Sequence, residues 1–248
     1  MIKINKKYEH LRQWLEQLPE QFGSIGEVIY DKRNQLRVVT APDGTLVNVK
    51  RYCVPHLINR IVYSTGIRQP KGLRAFSYPA RLLQRGIDTP EPIAYIEQRR
   101  CGLLGLSYFV SVQSTMGHTL YEVGNAPAGS YEQLAEALGQ FTAMMHDREV
   151  LHLDYSPGNI LWDKDEQGYH FAVVDINRMR FSPVGIEDGC AALCRLWGPK
   201  RFIELTVRSY ATARGFDPDQ AVRITMQARN AFWTRYSRRH PIEFPLEL

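Results

Sequence analysis

Four residues near the middle of the chain have types and spacing that suit phosphoryl transfer from ATP. Asp154 follows His152 by two residues, Asn159 follows five residues later, and Asp175 ends an apolar run. Such a transfer needs one carboxylate to orient the attacking hydroxyl, and an amide and a second carboxylate to hold magnesium on the phosphates. Each residue alone would more simply cap a turn or satisfy loop backbone, but their joint order favours the catalytic interpretation.

The elements around these residues predict that they converge. Two short apolar runs, Ile160–Trp162 and Phe171–Val174, flank the polar sequence DKDEQG and predict a β-hairpin. Asn159 would precede its first strand and Asp175 would follow its second, so both oxygen ligands would lie at one end of the hairpin. We expect Asp154 on the loop before the hairpin, with His152 supporting the loop backbone.

The segments LHLDYSPGNIL and VVDINR resemble the catalytic and magnesium loops of the protein-kinase-like superfamily. Within it they look most like the bacterial lipopolysaccharide core kinases, which phosphorylate heptose or 3-deoxy-octulosonic acid, and GIDTPEPIAYIE resembles the same family. The resemblance implies an α+β, bilobal fold that uses ATP and Mg²⁺, with Asp154 catalytic and Asn159 and Asp175 as metal ligands. Asn177 stands where protein kinases have glycine, which argues against a protein substrate.

The amino-terminal half supplies a candidate phosphate-binding lysine. Lys50 ends a strand-like run, and kinases hold the α and β phosphates with a strand lysine. A phosphate-covering loop would come from Gly23 and Gly26, although two glycines in a short turn are a weak signal. The predicted strands of this antiparallel sheet are Glu27–Tyr30, Leu36–Val39, Leu46–Val49, Ala94–Ile96 and Leu106–Gln113.

The helix predicted from Leu73 to Arg85 lacks the glutamate that usually pairs with such a lysine. Ser77 occupies the position that the resemblance implies for it, and Pro79 is expected to break or kink the helix. Either the ion pair is absent or another acid, Glu27 or Glu97, replaces it. A missing ion pair would favour a pseudokinase that binds nucleotide or scaffolds a partner.

Beyond Asp175 the chain has helical composition, which predicts a mainly helical second lobe. The expected domains are a nucleotide-binding small lobe at 1–112 and a large lobe with the catalytic and metal loops at 113–248. Few residues separate Arg178 from the next helix, which leaves little platform for a peptide. The predicted helices of this lobe are Tyr131–His146, Ile186–Trp197, Lys200–Ala213 and Pro218–Arg238, and one further helix, Tyr8–Leu18, begins the chain.

Composition and charge limit the location and partners of the protein. No apolar run approaches transmembrane length and the first residues lack the apolar core of a signal peptide, so we expect a cytoplasmic protein. The net charge of +5 favours acidic partners. We do not expect nucleic acid among these partners. Arginines and aromatic residues alternate near the carboxyl end, which suits peripheral contact with the anionic inner membrane or, more commonly, core packing: Arg229, Phe232, Trp233, Arg235, Tyr236, Arg238 and Arg239.

Together the motifs predict an ATP- and Mg²⁺-dependent kinase that acts on a sugar hydroxyl, in the lipopolysaccharide core by resemblance. Arg178 and Arg180 would either bind an anionic acceptor or pair with nearby carboxylates. The alternatives are the pseudokinase and a kinase of another small molecule or of protein serine or threonine.

Overall fold

The computed structural model describes residues 1–247 and divides the chain into two compact units. The first unit contains Met1–Gln84 and Thr89–Thr115, and the second contains Arg85–Asp88 and the chain from Met116 onward. A six-stranded antiparallel sheet dominates the first unit, and helices dominate the second.

The sheet of the first unit has the strand order β1-β5-β6-β4-β3-β2, and its neighbouring strands are antiparallel. The predicted strands are all present. Strand β1 was not predicted, because three residues carry too little pattern and its pairing with β5 joins distant parts of the chain. The strands are β1 (Ile2–Ile4), β2 (Glu27–Asp31), β3 (Gln35–Thr40), β4 (Leu46–Tyr52), β5 (Pro92–Arg100) and β6 (Leu103–Val112).

Three helices, α1 (Arg12–Gln21), α2 (Leu57–Ser64) and α3 (Lys71–Leu83), complete the first unit. Leu15 and Leu18 of α1 are buried in the same apolar core as the sheet residue Val110. The helix predicted over Tyr8–Leu18 therefore packs on this unit, although its α-helical part begins at Arg12 after a 3₁₀ segment, Lys6–Leu11.

Helix α3 continues through Pro79 to Leu83, so of the two expected effects of Pro79, a break or a kink, the break is wrong. Proline lacks the N–H that would bond to the carbonyl of Ala75, and a single lost bond does not end a helix that is held by packing. Ala75, Pro79 and Leu82 are buried, at positions that fall on one helical face. Burial of that face offsets the lost hydrogen bond.

Up to residue 247, the second unit contains two small sheets and four α-helices. Strand β7 (His118–Thr119) pairs with β9 (Ile160–Asp165), which forms a hairpin with β10 (Gly168–Val173), and β8 (Val150–His152) pairs with β11 (Met179–Phe181). The helices are α4 (Glu132–Asp147), α5 (Ile186–Leu193), α6 (Lys200–Ala213) and α7 (Pro218–Ser237). Within residues 1–247, no helix combines the length and apolar character that crossing a membrane requires.

Two residues of the carboxyl-terminal cluster, Arg229 and Trp233, are packed in the core, whereas Arg235, Tyr236, Arg238 and Arg239 are exposed. Arg229 is fully buried on α7 and Trp233 is nearly so, and the two side chains make a cation–π contact. Neither can take part in the interfacial membrane contact that their sequence pattern also suited. The amphipathic pattern was ambiguous because aromatic residues serve both environments equally well.

Burial of His146 on α4 makes the stability of the protein depend on pH. Burial, followed by the charges of Arg214 and Arg180, lowers the pKa of His146 from 6.5 to about 3. Between these values the unfolded chain binds a proton that the folded chain excludes. We therefore predict that the free energy of unfolding falls as the pH drops below about 6.5, by up to about 1.4 kcal/mol per pH unit from this residue.

Denaturant titrations between pH 7 and pH 5 measure this dependence, with His146→Gln as the test variant. The variant should show a shallower decrease, while substitution of the exposed His240 by Gln should leave the decrease unchanged. A slope that is identical in the wild type and in His146→Gln would contradict the assignment.

Candidate active site

The β9–β10 hairpin brings Asn159 and Asp175 to the same end of one element. Ile160 pairs with Val173, and the next pair outward is closed by a hydrogen bond of 3.0 Å from the Val174 N–H to the Asn159 carbonyl. The paired strands reach Asp165 and Gly168, so the turn is shorter than the sequence predicted. The polar residues at the tip extend the ladder because solvent-facing strand ends tolerate them.

His152 joins the loop that carries Asp154 to the strand that leads into Asp175. Its Nδ1 accepts a hydrogen bond of 3.1 Å from the Asp154 N–H, and its Nε2 donates one of 3.0 Å to the Val174 carbonyl. The ring is almost completely buried, and burial lowers its pKa. A neutral imidazole has one donor and one acceptor, and both bonds use that arrangement. The expected support of the loop backbone is confirmed.

A compact turn shapes the loop after Asp154. The carbonyl of Asp154 accepts hydrogen bonds from the Ser156 N–H at 2.8 Å and from Nδ2 of Asn159 at 2.9 Å. The ring of Tyr121 lies so close to Gly158 that a Cβ at this position would meet it at 2.5 Å. A larger residue at position 158 would require the Tyr121 ring to shift. Nδ2 of Asn159 is committed to the loop, while Oδ1 remains as the acceptor of that amide.

Asp175 has a left-handed backbone conformation, with φ of 51°, at the start of a short turn formed by Ile176–Arg178. Asn177 is buried in this turn and donates a hydrogen bond from Nδ2 to Oδ1 of Asp175. The asparagine that replaces the glycine of protein kinases therefore has a definite contact, since it orients the carboxylate of Asp175.

Two arginines bind the carboxylate of Asp154. Nη1 of Arg195 lies 2.5 Å from Oδ1, and Nη1 of Arg178 lies 3.3 Å from Oδ2. Arg180 instead pairs with Asp188 on α5, at 2.5 Å. Of the two roles that the sequence left open for Arg178 and Arg180, the structure contains carboxylate pairing for both.

Sequence reasoning missed Arg195, which lies just beyond α5. Its guanidinium also packs on the ring of Phe232 of α7, with 5.1 Å between the guanidinium carbon and the ring centroid. Helix α5 ends at Leu193 instead of Trp197, because carbonyls of the following loop bond to α7. Trp233 donates to the Cys194 carbonyl at 3.1 Å and Arg229 donates to the Leu196 carbonyl at 2.5 Å.

These two bonds fix the backbone on both sides of Arg195. No local motif marks the residue, since it lies 41 positions after Asp154. The only sequence signal was indirect: the arginine and tryptophan pattern of the last helix, which holds the loop in place.

The first unit contains the other predicted site residues. Lys50 lies on β4 between Leu36 of β3 and Phe109 of β6, and its Nζ is 5.5 Å from the centroid of the Tyr52 ring. Gly23 and Gly26 lie in the link between α1 and β2, whereas residues 32–34 connect the two strands that precede the lysine strand.

The glycine link is held within the first unit. Arg37 donates hydrogen bonds to the carbonyls of Gly23 at 3.0 Å and Ile25 at 2.7 Å. Gly26 has φ of 65°, and a Cβ there would lie 2.2 Å from the Val38 carbonyl oxygen. Close packing against Val38 therefore explains the glycine at position 26. The structure does not place Gly23 and Gly26 in the turn at residues 32–34, between the two strands that precede the lysine strand.

Of the two acids considered as partners for Lys50, Glu97 binds other side chains and Glu27 is exposed. Glu97 is buried on β5, where its carboxylate accepts hydrogen bonds from the Tyr95 hydroxyl at 2.6 Å and from Arg99 at 2.5 Å. Glu27 is exposed on β2. Ser77 of α3 is exposed and donates to the Leu73 carbonyl at 2.9 Å.

The oxygen donors at the end of the hairpin fit a magnesium ion bound together with phosphates. An amide oxygen from Asn159 and a carboxylate from Asp175 are the hard ligands that Mg²⁺ prefers, and phosphates and water complete such sites. Across residues 1–247 no group of three or more His, Cys, Asp and Glu side chains could hold a metal without other ligands. Two protein ligands leave most of the coordination sphere to phosphates and water, so the donor set suits a metal that arrives with a nucleotide.

Comparisons with known proteins agree with this arrangement. The model of the lipopolysaccharide kinase (Kdo/WaaP) family matches residues 25–182, which is well over half of the chain. A search of curated proteins found no significant match.

Solved structures resemble the chain in fold. The structure of WaaP in complex with acyl carrier protein has a TM-score of 0.58 at 15% identity, covering 96% of this chain and 98% of that chain. The Rio2 kinase–ADP/Mg²⁺–phosphoaspartate complex from Chaetomium thermophilum has a TM-score of 0.47 at 14% identity, covering 91% and 75%. The predicted α+β, protein-kinase-like fold is confirmed. With the family model extending across both the lysine strand and the Asp154–Asp175 segment, this protein is a kinase that belongs to the lipopolysaccharide kinase (Kdo/WaaP) family.

Proposed function

We propose that this kinase transfers the γ-phosphoryl group of ATP to a sugar hydroxyl of the lipopolysaccharide core, next to an anionic group of the acceptor. The observation that carries the proposal is the pairing of Asp154 with both Arg178 and Arg195. A hydroxyl that reaches this carboxylate also meets two guanidinium groups, which bind carboxylates and phosphates strongly. Core sugars that carry an acid or a phosphate have the matching chemistry.

In this proposal Asp154 accepts a hydrogen bond from the attacking hydroxyl and takes its proton late in the transfer. Arg195 and Arg178 bind the neighbouring anionic group, which orients the hydroxyl toward Asp154. His152 keeps the loop backbone in position through its bonds to Asp154 and Val174. Residues 179–185 separate the Asp175 turn from α5, and this short link favours a small, exposed acceptor over a peptide.

The first unit is proposed to bind the nucleotide, with Lys50 on its phosphates. Asn159 and Asp175 would hold Mg²⁺, which neutralises phosphate charge when it is bound. Asn177 fixes the orientation of the Asp175 carboxylate, so this ligand is preorganised before the metal arrives.

The first test of this mechanism is Asp154→Asn, which keeps the shape of the side chain and removes the proton acceptor. We predict a loss of turnover of about 10²–10⁴-fold with a core oligosaccharide, the range typical of a general base. ADP release with ATP and Mg²⁺ measures it. Asp165→Asn at the exposed hairpin tip is the control and should retain full turnover. Equal turnover by wild type and Asp154→Asn would reject the assignment.

Arg195→Met tests recognition of the anionic group. The thioether preserves the apolar contact with Phe232 but cannot bind an anion. We predict that kcat/KM falls about 10- to 100-fold for a core fragment that retains its acid or phosphate group, the size of a lost charged hydrogen bond.

Two comparisons distinguish recognition of the acceptor's anionic group by Arg195 from positioning of Asp154 by the same residue. A fragment whose acidic group has been removed or esterified should lose much less on Arg195→Met, and Arg208→Met, which breaks a surface ion pair with Asp219, should behave as wild type with both fragments. Equal losses with both fragments would mean that Arg195 only positions Asp154, and the anionic-acceptor proposal would then be wrong.

Asp175→Ala tests the metal site without relying on turnover. Wild-type affinity for ADP should rise when Mg²⁺ is added, and the variant should lose that increase, about tenfold or more, because its carboxylate ligand is gone. Calorimetric titration with and without Mg²⁺ gives both affinities. Asp165→Ala is the matched control, and an unchanged metal effect in Asp175→Ala would remove this residue from the site.

A further inference from the structure

Helix α2 is held to the first unit by its polar side. Nε of Arg60 donates a hydrogen bond of 2.6 Å to the Leu104 carbonyl, and the Leu104 N–H donates one of 2.8 Å to the Ser64 hydroxyl. Tyr63 is buried on the same helix. These contacts with the start of β6 fix which side of α2 faces inward.

The opposite side of α2 presents aliphatic side chains to the surface. Leu57 is 68% exposed, Ile58 is 79% exposed and Ile61 is 45% exposed, and their spacing places them on one helical face. Val54 before the helix and Ile67 after it are exposed as well. We call these five residues the α2 apolar face. A surface helix normally buries its apolar side. Helix α2 instead exposes these aliphatic side chains to solvent.

The stretch of sequence that contains α2 has basic residues and no acidic ones. Between Gly44 and Gln84 there are seven Lys and Arg residues and no Asp or Glu. Arg68 is exposed directly after Ile67, at the carboxyl-terminal end of the α2 apolar face. Aliphatic side chains bordered by cations match the chemistry of an anionic bilayer surface, where the apolar groups enter the acyl boundary and the cations meet lipid phosphates.

We propose that the α2 apolar face is the surface by which this kinase binds an anionic membrane. A second copy of the chain is a poorer occupant, because a symmetric contact would place the same cations opposite one another. The inference adds a location to the proposed function, since lipopolysaccharide is a bilayer-borne acceptor. Binding to lipid nevertheless requires neither nucleotide nor acceptor, so it can be tested independently of that function.

The test is flotation of the full chain with vesicles that contain about one-third phosphatidylglycerol in phosphatidylcholine, compared with phosphatidylcholine alone. Wild type should bind the anionic vesicles, less so at high salt, and the neutral ones weakly. The triple variant Leu57→Ser/Ile58→Ser/Ile61→Ser should lose about tenfold or more of this affinity. A matched variant, Val28→Ser/Ile29→Ser/Leu46→Ser, removes three exposed aliphatic residues elsewhere in the first unit and should bind as wild type.

Circular dichroism establishes that each variant is folded, and Ile58→Asp provides a single substitution at the most exposed aliphatic residue of α2. Equal vesicle binding by wild type and both α2 variants, or no binding by wild type, would overturn the proposal. A wild-type dimer that becomes monomeric in the triple variant, seen by light scattering, would assign the face to self-association and overturn it too. ADP release with a soluble core fragment should be unchanged in the triple variant, so failure of the membrane contact and failure of the kinase assignment give different results.

Discussion

A single buried imidazole holds the candidate active site together. His152 accepts from the Asp154 N–H and donates to the Val174 carbonyl, so one side chain fixes the proposed base and the residue before the proposed metal ligand Asp175. The arrangement requires the neutral ring, because a protonated Nδ1 could not accept. Burial supplies that condition by lowering the pKa of His152. The hairpin and the Asn159 bond to the Asp154 carbonyl then complete a rigid frame.

The helical part of the second unit extends this frame to a residue distant in sequence. Arg229 is buried and donates hydrogen bonds to the carbonyls of Leu196 and Gly198, while Trp233 donates to the Cys194 carbonyl on the other side of Arg195. Burial lowers the pKa of Arg229 to about 10, which leaves it charged at neutral pH. A buried guanidinium bound to carbonyls is costly to rearrange. The loop that presents Arg195 therefore has little freedom, although it belongs to no regular element.

The parts of the site that could be predicted from sequence are those with local determinants. The order of His152, Asp154, Asn159 and Asp175 and the two apolar runs of the hairpin each lie within about thirty residues, so turn chemistry and strand pattern suffice. Arg195 could not be predicted, because its contact with Asp154 depends on how a distant helix packs. The same reasoning explains the missed strand β1, which pairs across the sheet, and the missed helix α2, whose apolar residues point outward and give no core signal.

The two arginines on Asp154 have a consequence for the enzyme between turnovers. With both carboxylate oxygens engaged, a water molecule near a bound nucleotide competes with two guanidinium groups for the base. An acceptor that brings its own anion offers those groups a substitute and frees an oxygen for its hydroxyl. If Asp154 acts as proposed, the ion pairs would thereby protect ATP from wasteful hydrolysis and make the acceptor itself the signal that exposes the base.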